Sequence, residues 1–356
     1  MKVLIVVGAR PNFIKVTPIL KEFKKYNSVK SILVHTGQHY DFEMSQIFFK
    51  DLEIPKPNYN LGVGVGSHAR QTAKIMEKLE PVILREKPDL VIVVGDVNST
   101  LAGALTAAKL NIPVVHVEAG LRSYDKTMPE EINRLLTDHI SKSLFCPTET
   151  AVKNLKKEGI KKGLYRVGDI MYDTLLNSKL KAQSSKLLRR LRLKPKQYLL
   201  LTIHRASNTD NLENLRKIIT TIGESGEKVV FPIHPRTKKQ LKKLKLKIKN
   251  WKLRIIAPLG YLDMLVLENN AKKILTDSGG VQKEAYWLKV PCLTLRKETE
   301  WIETVKDGWN ILVGQNKVKI LKAIKNFQPK GPQHRHFGNG RTAKMITNIL
   351  LKNYGK

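Results

Sequence analysis

The chain has 356 residues, 64 Lys and Arg against 31 Asp and Glu, and a formal net charge of +33. That length suggests two domains of ordinary size, and a hydrophobic fraction of 42% is enough for two cores. Its two cysteines, Cys146 and Cys292, lie far apart, each in an apolar run, which argues against a disulfide framework and a cysteine metal cluster. No apolar run approaches membrane-spanning length. The opening apolar stretch turns into glycine too soon for a signal peptide, so a cytoplasmic location is expected.

So basic a chain raises nucleic acid or an anionic membrane as a partner. The excess is mostly lysine and widely spread. It is densest over residues 238–252, KKQLKKLKLKIKNWK. Aromatic residues make up 6%, and no basic motif interleaved with stacking residues occurs. The charge therefore reads as a lysine-rich solvated surface, with no specific nucleic acid and no membrane insertion expected. The same field would favour anionic substrates.

In chain order, residues 2–7 (KVLIVV) form a continuous β-branched run of the kind buried in parallel sheets. The turn GARPN follows, then a helix over about 13–26. This turn lacks the G-x-G-x-x-G fingerprint, so no dinucleotide cofactor is indicated. Arg10 and Lys15 fall where a parallel sheet presents its ligand edge, and either could meet a pyrophosphate or a carboxylate. A strand over 30–36, a helix over 42–52, a Pro/Gly loop over 55–66 and a helix over 67–87 come next. The strand 90–94 ends in Gly95-Asp96, where Asp96 reads equally as a helix cap or as a base. The strand 114–117 ends in Glu118, and Pro129-Glu130-Glu131 opens a helix. Three acids at strand ends or helix starts, Asp96, Glu118 and Glu130, form a candidate proton-transfer cluster.

A strand over 143–146 and a helix over 148–158 complete the first half. A domain boundary is expected near Gly168, followed by a helix and a polar, lysine-rich connection over about 179–197. The second series carries His204-Arg205 after the strand 198–203 and His234-Pro235-Arg236 after 229–233. A strand over 271–275 leads into TDSGGVQKEA and a helix over 281–288. Paired glycines at a strand-to-helix turn let backbone N–H groups converge on a phosphate. Glu284, about one turn on, could bind sugar hydroxyls. Taken alone, Ser278-Gly279-Gly280 reads first as a capped tight turn and only second as a ligand site, since such motifs are weak signals. Alternating strands and helices in both halves point to two doubly wound α/β domains, Rossmann-like, facing across a cleft.

Taken together, GARPNFIK (8–15), TGQHYD (36–41), GDVNSTLAGAL (95–105), HVEAGLRS (116–123), MPEEINR (128–134), HR (204–205), HPRT (234–237) and TDSGGVQKEA (276–285) resemble the non-hydrolysing UDP-N-acetylglucosamine 2-epimerases along the whole chain. The resemblance implies a GT-B-like fold with domains at 1–168 and 169–340, and a C-terminal helix, 341–354, packing back on the first. It implies elimination of UDP across C1–C2 to a bound 2-acetamidoglucal, then re-addition with C2 inverted. Asp96, Glu118, Glu130 and His204 become the acid/base candidates. Arg10, Lys15, Arg134, Ser278, Gly279, Gly280 and Glu284 become the substrate contacts, with Glu284 at the ribose. A UDP-sugar substrate, a homodimer and no metal or redox cofactor are implied.

Two departures matter. Many members have Arg-Pro where this chain has Trp301-Ile302. With GARPNFIK and QHYD, that form resembles the branch acting on UDP-2,3-diacetamido-2,3-dideoxyglucuronate, in which the aromatic could pack on an acetamido methyl. A variant still using UDP-N-acetylglucosamine competes with that reading; a hydrolysing epimerase or a GT-B glycosyltransferase is a more distant alternative. QHYDFEM also departs from the QHR-x-M-L-D of bacterial members that carry an effector site, which puts allosteric activation in doubt.

Overall fold

The computed structural model describes residues 1–38, 55–178, 186–246 and 251–355. The helix expected over 42–52, the QHYDFEM stretch beyond Gln38, the start of the lysine-rich connection and part of the basic run lie outside them. The chain divides into two compact units, Met1–Asn177 with Arg335–Lys356, and Ser178–His334.

The first unit is built on a parallel sheet of β1 (Lys2–Val7), β2 (Lys30–His35), β3 (Tyr59–Asn60), β4 (Leu90–Val94), β5 (Val114–Val117), β6 (Ser143–Cys146) and β7 (Leu164–Arg166). Its order among the described residues is β3-β2-β1-β4-β5-β6-β7. The central strands are apolar on both faces because helices cover both: Val3, Leu4, Ile5 and Val7 are fully buried, as are Val91, Ile92 and Val93. Ile5 pairs with Leu33 on one side and Ile92 on the other.

The second unit holds β8 (Leu199–Thr202), β9 (Val229–Pro232), β10 (Leu253–Ile256), β11 (Lys273–Thr276), β12 (Cys292–Thr294) and β13 (Asn310–Leu312), in the order β10-β9-β8-β11-β12-β13. Every pairing between them is parallel. One layer of its core packs Leu199, Leu201, Phe231 and Leu275 against the helix Leu212–Glu224. Leu200, Val230 and Ile274 point to the other layer. Successive residues alternate between layers because strand side chains alternate between faces.

The helix Ile170–Leu176, which follows Gly168, lies in the first unit. Gly168 has φ of +90°, and a Cβ there would come within 2.7 Å of the Phe337 carbonyl. This position therefore admits only glycine at low strain. The C-terminal helix Thr342–Tyr354 belongs to the same unit. Its first N–H groups, on Thr342 and Ala343, donate to Asp173 at 3.1 and 2.8 Å, and Tyr354 pairs with Ser143 at 2.8 Å. Both thiols are buried: Cys146 on β6 and Cys292 on β12. Among the described residues no helix is long and apolar enough to cross a membrane.

Asp173 does from a distance what a helix cap does locally, satisfying two orphan N–H groups with one buried carboxyl. Asp173→Ala should destabilise the chain by about 1–2 kcal/mol and release the C-terminal helix to proteolysis first. A Tm equal to wild type and an unchanged cleavage pattern would contradict this.

Candidate active site

In a doubly wound sheet the order reverses once, and the loops leaving the strands on either side of the reversal diverge, opening a crevice at their carboxyl ends. Here the reversals fall between β1 and β4 in the first unit and between β8 and β11 in the second. The segments that leave those four strands are Gly8-Ala9-Arg10, Gly95-Asp96, His204-Arg205 and Asp277-Ser278-Gly279-Gly280.

In the first unit, Lys15 on the helix Arg10–Phe23 and Glu118 after β5 meet at 2.7 Å, both buried. Glu118 has φ of +72°, a left-handed conformation that a non-glycine residue holds only when its surroundings impose it. Its backbone N–H donates to Phe145 at 3.1 Å, as does that of Ala119. Asp96 accepts a charge-assisted hydrogen bond from Arg134, and its own carbonyl accepts from Asn133 at 2.9 Å. Asp96 is therefore not a cap: the helix Asn98–Lys109 begins at Val97 without a side-chain cap. The structure brings Asp96, Arg134, Lys15 and Glu118 to one sheet edge. The side chain of Arg10 lies outside what the structure describes.

The adjacent acids Glu130 and Glu131 differ. Glu131 is 1% exposed and accepts from Ser123 N and Oγ, from Tyr124 N and from Arg134, all at 2.8–2.9 Å. It is consumed in holding the 118–124 loop and Arg134. Glu130, half-exposed in the first turn of the helix Pro129–Ile140, is not in that set. Gln38 is likewise structural: its Oε1 accepts from Ser99 N and Oγ at 3.1 and 2.6 Å. Asn12 links the first loop to β4 by donating to Val94 at 3.0 Å.

In the second unit, Asp277 is fully buried. It accepts the backbone N–H of His204 and Arg205 and the amide of Asn208, at 3.0–3.1 Å. That leaves the exposed His204 ring on a fixed stem, 6.4 Å from the ring of His234. Ser278 begins the helix Gly279–Trp287, but its hydroxyl does not cap it; its N–H goes to Thr276 at 2.9 Å. The capped-turn reading of Ser278 is thereby removed. Gly279 is small for an internal reason as well: a Cβ would stand 3.0 Å from Trp301 Nε1.

Trp301 is 3% exposed, and the Lys283 ammonium lies 4.0 Å from the centre of its ring. One face of the indole is thus spent on a buried cation, a contact worth about 2 kcal/mol when desolvated. The loop before Trp301 is fixed by Arg296 on Glu300 at 3.0 and 3.2 Å. Glu284 is buried beside Glu268. Burial, together with the neighbouring Glu284 carboxyl, holds the Glu268 pKa well above the usual carboxylate range and favours its neutral form.

Sequence reasoning found the residues at the strand ends and helix starts and missed those that support them. Glu131, Asn133, Asp277, Glu268 and Lys283 carry no signal in spacing. Each is identified by the partner it holds.

The chain is similar to known proteins along most of its length. The sequence pattern of the family described as UDP-N-acetylglucosamine 2-epimerase matches residues 21–351. The chain is 58% identical to a "UDP-N-acetylglucosamine 2-epimerase homolog" of Methanococcus maripaludis, covering 98% of this chain and 99% of that protein. It is 43% identical to the UDP-2,3-diacetamido-2,3-dideoxy-D-glucuronate 2-epimerase of Pseudomonas aeruginosa, over 99% of this chain and 100% of that one. The fold is similar to the crystal structure of a Methanocaldococcus jannaschii UDP-GlcNAc 2-epimerase in complex with UDP-GlcNAc and UDP, with a TM-score of 0.93, 49% identity and 99% and 100% of the two chains covered.

The raised Glu268 pKa has a measurable sign. An unfolded Glu loses its proton near pH 4.3, while folded Glu268 keeps it, so its contribution to stability is full below that pH and is lost as pH rises through the folded value. Glu268→Gln removes this loss, so its Tm relative to wild type should rise between pH 5 and pH 8. Each ~1 kcal/mol is worth about 2–4 °C in a unit of this size. Parallel curves for the two proteins would show that Glu268 is ionised in the folded chain.

Proposed function

Since the chain belongs to the UDP-N-acetylglucosamine 2-epimerase family, we propose that it is an isomerase interconverting UDP-GlcNAc and UDP-ManNAc, with Asp96, Glu118, Glu130 and His204 as its proton-transfer groups. One observation carries the residue assignment: two carboxylates at the same edge of the sheet, Asp96 and Glu118, each meet a buried cation, Arg134 and Lys15.

The C2 proton of a sugar without an adjacent carbonyl is a very weak acid. Removing it is feasible only if a leaving group departs from the neighbouring carbon. A base takes the C2 proton, the C1–O bond breaks, and UDP leaves with the electron pair, forming the C1–C2 double bond of 2-acetamidoglucal. A proton delivered to the opposite face of C2, with UDP returning to C1, completes the inversion. The chemistry needs acid/base groups for two faces and a firm hold on detached UDP. Arg10, Lys15, Arg134, Ser278, Gly279, Gly280 and Glu284 supply that hold in this reading. The N–H groups at the start of the helix Gly279–Trp287 suit a phosphate, and Glu284 suits the ribose. The net charge of +33 aids capture of a dianion. No metal or redox group enters the scheme. The enzyme would act as a homodimer in the cytoplasm.

The second reading, a UDP-2,3-diacetamido-2,3-dideoxyglucuronate 2-epimerase, is favoured by the likeness to the Pseudomonas aeruginosa protein. Burial of Trp301 against Lys283 weakens the part of it that asked the indole to cradle an acetamido methyl.

Proton NMR in D2O with UDP-GlcNAc should show UDP-ManNAc accumulating with deuterium at C2. Turnover of the diacetamido uronate alone would instead select the second reading, and free ManNAc would indicate a hydrolysing enzyme. Asp96→Asn and His204→Ala should each lose at least about 10²-fold in kcat, the lower end of what a positioned acid or base supplies. Wild-type rates in both would remove the assignment. Nucleic acid binding, if any, should be weak at physiological salt; tight binding with a steep salt slope would make the charge a recognition surface.

A further inference from the structure

Beneath Asp96 lies a buried histidine that the reaction scheme does not use. His116, on β5, is fully buried. Its Nδ1 stands 2.7 Å from Asp138 Oδ1 and its Nε2 stands 2.8 Å from the Gly95 carbonyl oxygen. A carbonyl only accepts, and an ionised carboxylate only accepts. Asp138 is ionised because its carboxylate also faces the buried Arg122 guanidinium. Its other oxygen takes Arg122 Nη1 at 2.7 Å and the Gly120 N–H at 3.1 Å. A neutral imidazole would therefore aim a lone pair at an oxygen on one side or the other. Only a ring protonated at both nitrogens satisfies both neighbours.

The charges close. Arg122 also grips Glu158 through two hydrogen bonds, at 2.7 and 2.6 Å. An imidazolium and a guanidinium face two carboxylates, so the group of four is neutral as a whole. Such compensation is what permits charge in an interior. From β6, the Cys146 thiol also faces Asp138, and burial pushes its pKa up so that it stays neutral.

The consequence concerns the next residue along. Gly95, with φ of +70°, precedes Asp96. Its N–H is tied to Val117 at 3.0 Å, its carbonyl to His116, and the Asp96 carbonyl to Asn133. The peptides on both sides of Asp96 are thus held. We propose that His116 is a positioning residue for the epimerase reaction, its ring donating from both nitrogens so that it pins the Gly95 carbonyl and fixes the direction in which Asp96 leaves β4. This rests on the reading of Asp96 as a proton-transfer group.

The full-length chain labelled with 15N in its histidine rings tests it. One histidine should show two protonated ring nitrogens at pH 7, and that signal should vanish in His116→Gln. A wild-type His116 ring bearing a single proton at pH 7 overturns the proposal. In kinetics, His116→Gln and the isosteric Asp138→Asn, which breaks the same chain from the other side, should lower kcat about tenfold or more, as small misplacements of a reacting group do. KM for UDP-GlcNAc should change less than about twofold, because the substrate's hold lies elsewhere. A folded variant of either kind with wild-type kcat, or one in which KM alone changes, rejects the positioning role. Asp96→Asn is run beside them. If it retains full activity, the catalytic reading of Asp96 fails by itself, while the ring signal still decides the state of His116.

Discussion

Parallel strands impose the constraint from which the rest follows. Every strand must return by a crossover, so every strand hands its chain to a helix at the same edge. Where the order of the sheet reverses, two such exits part and leave room between them. In this protein the four exits at the two reversals are the segments beginning at Gly8, Gly95, His204 and Asp277. Chemistry collects there because backbone N–H groups and strand-end side chains project beyond the ladder that pairs the strands.

Holding polar groups at such an edge requires support from beneath, and here the support is charged and dry. Asp277 gathers three N–H donors under His204. Glu131 gathers the 118–124 loop and Arg134. Arg296 grips Glu300 beside a tryptophan that itself covers a lysine. Where the two buried partners are oppositely charged, as Glu131 with Arg134 and Arg296 with Glu300, removing one strands the other at a cost of several kcal/mol. These groups stabilise the chain little against an apolar alternative, but they leave the reacting side chains little freedom of direction.

The sequence made the interior of each sheet readable, because a strand covered on both faces is one uninterrupted apolar run. KVLIVV and LVIVV can hardly be anything else. It was silent on β3, β7 and β13, which are two or three residues long, partly exposed and at the rims of their sheets, so they bury no continuous stripe. The acids at strand ends were legible because a carboxylate in that place is unusual. Their division of labour was not. Glu130 and Glu131 are the same residue type one position apart, and only the helix's rotation decides which faces the 118–124 loop. Asp96 as cap or base was likewise a question of where Arg134 arrives from, 38 residues away. Gly279 reads as room for a ligand until Trp301, 22 residues on, is found against it.

The two thiols carry a consequence of a different kind. Cys146 and Cys292 are enclosed on strands one in from the sheet edge, and burial pushes both pKa values up, that of Cys292 to about 12. A thiol without thiolate character or access neither alkylates nor oxidises at neutral pH. The native cysteines are therefore chemically silent while the chain is folded. A single cysteine placed on the surface would be the unique point of attachment for a dye or a spin label, with no need to remove the two it was born with. Conversely, the reaction of either native thiol with a soluble reagent would report opening of the sheet that encloses it, one reporter for each unit of the chain.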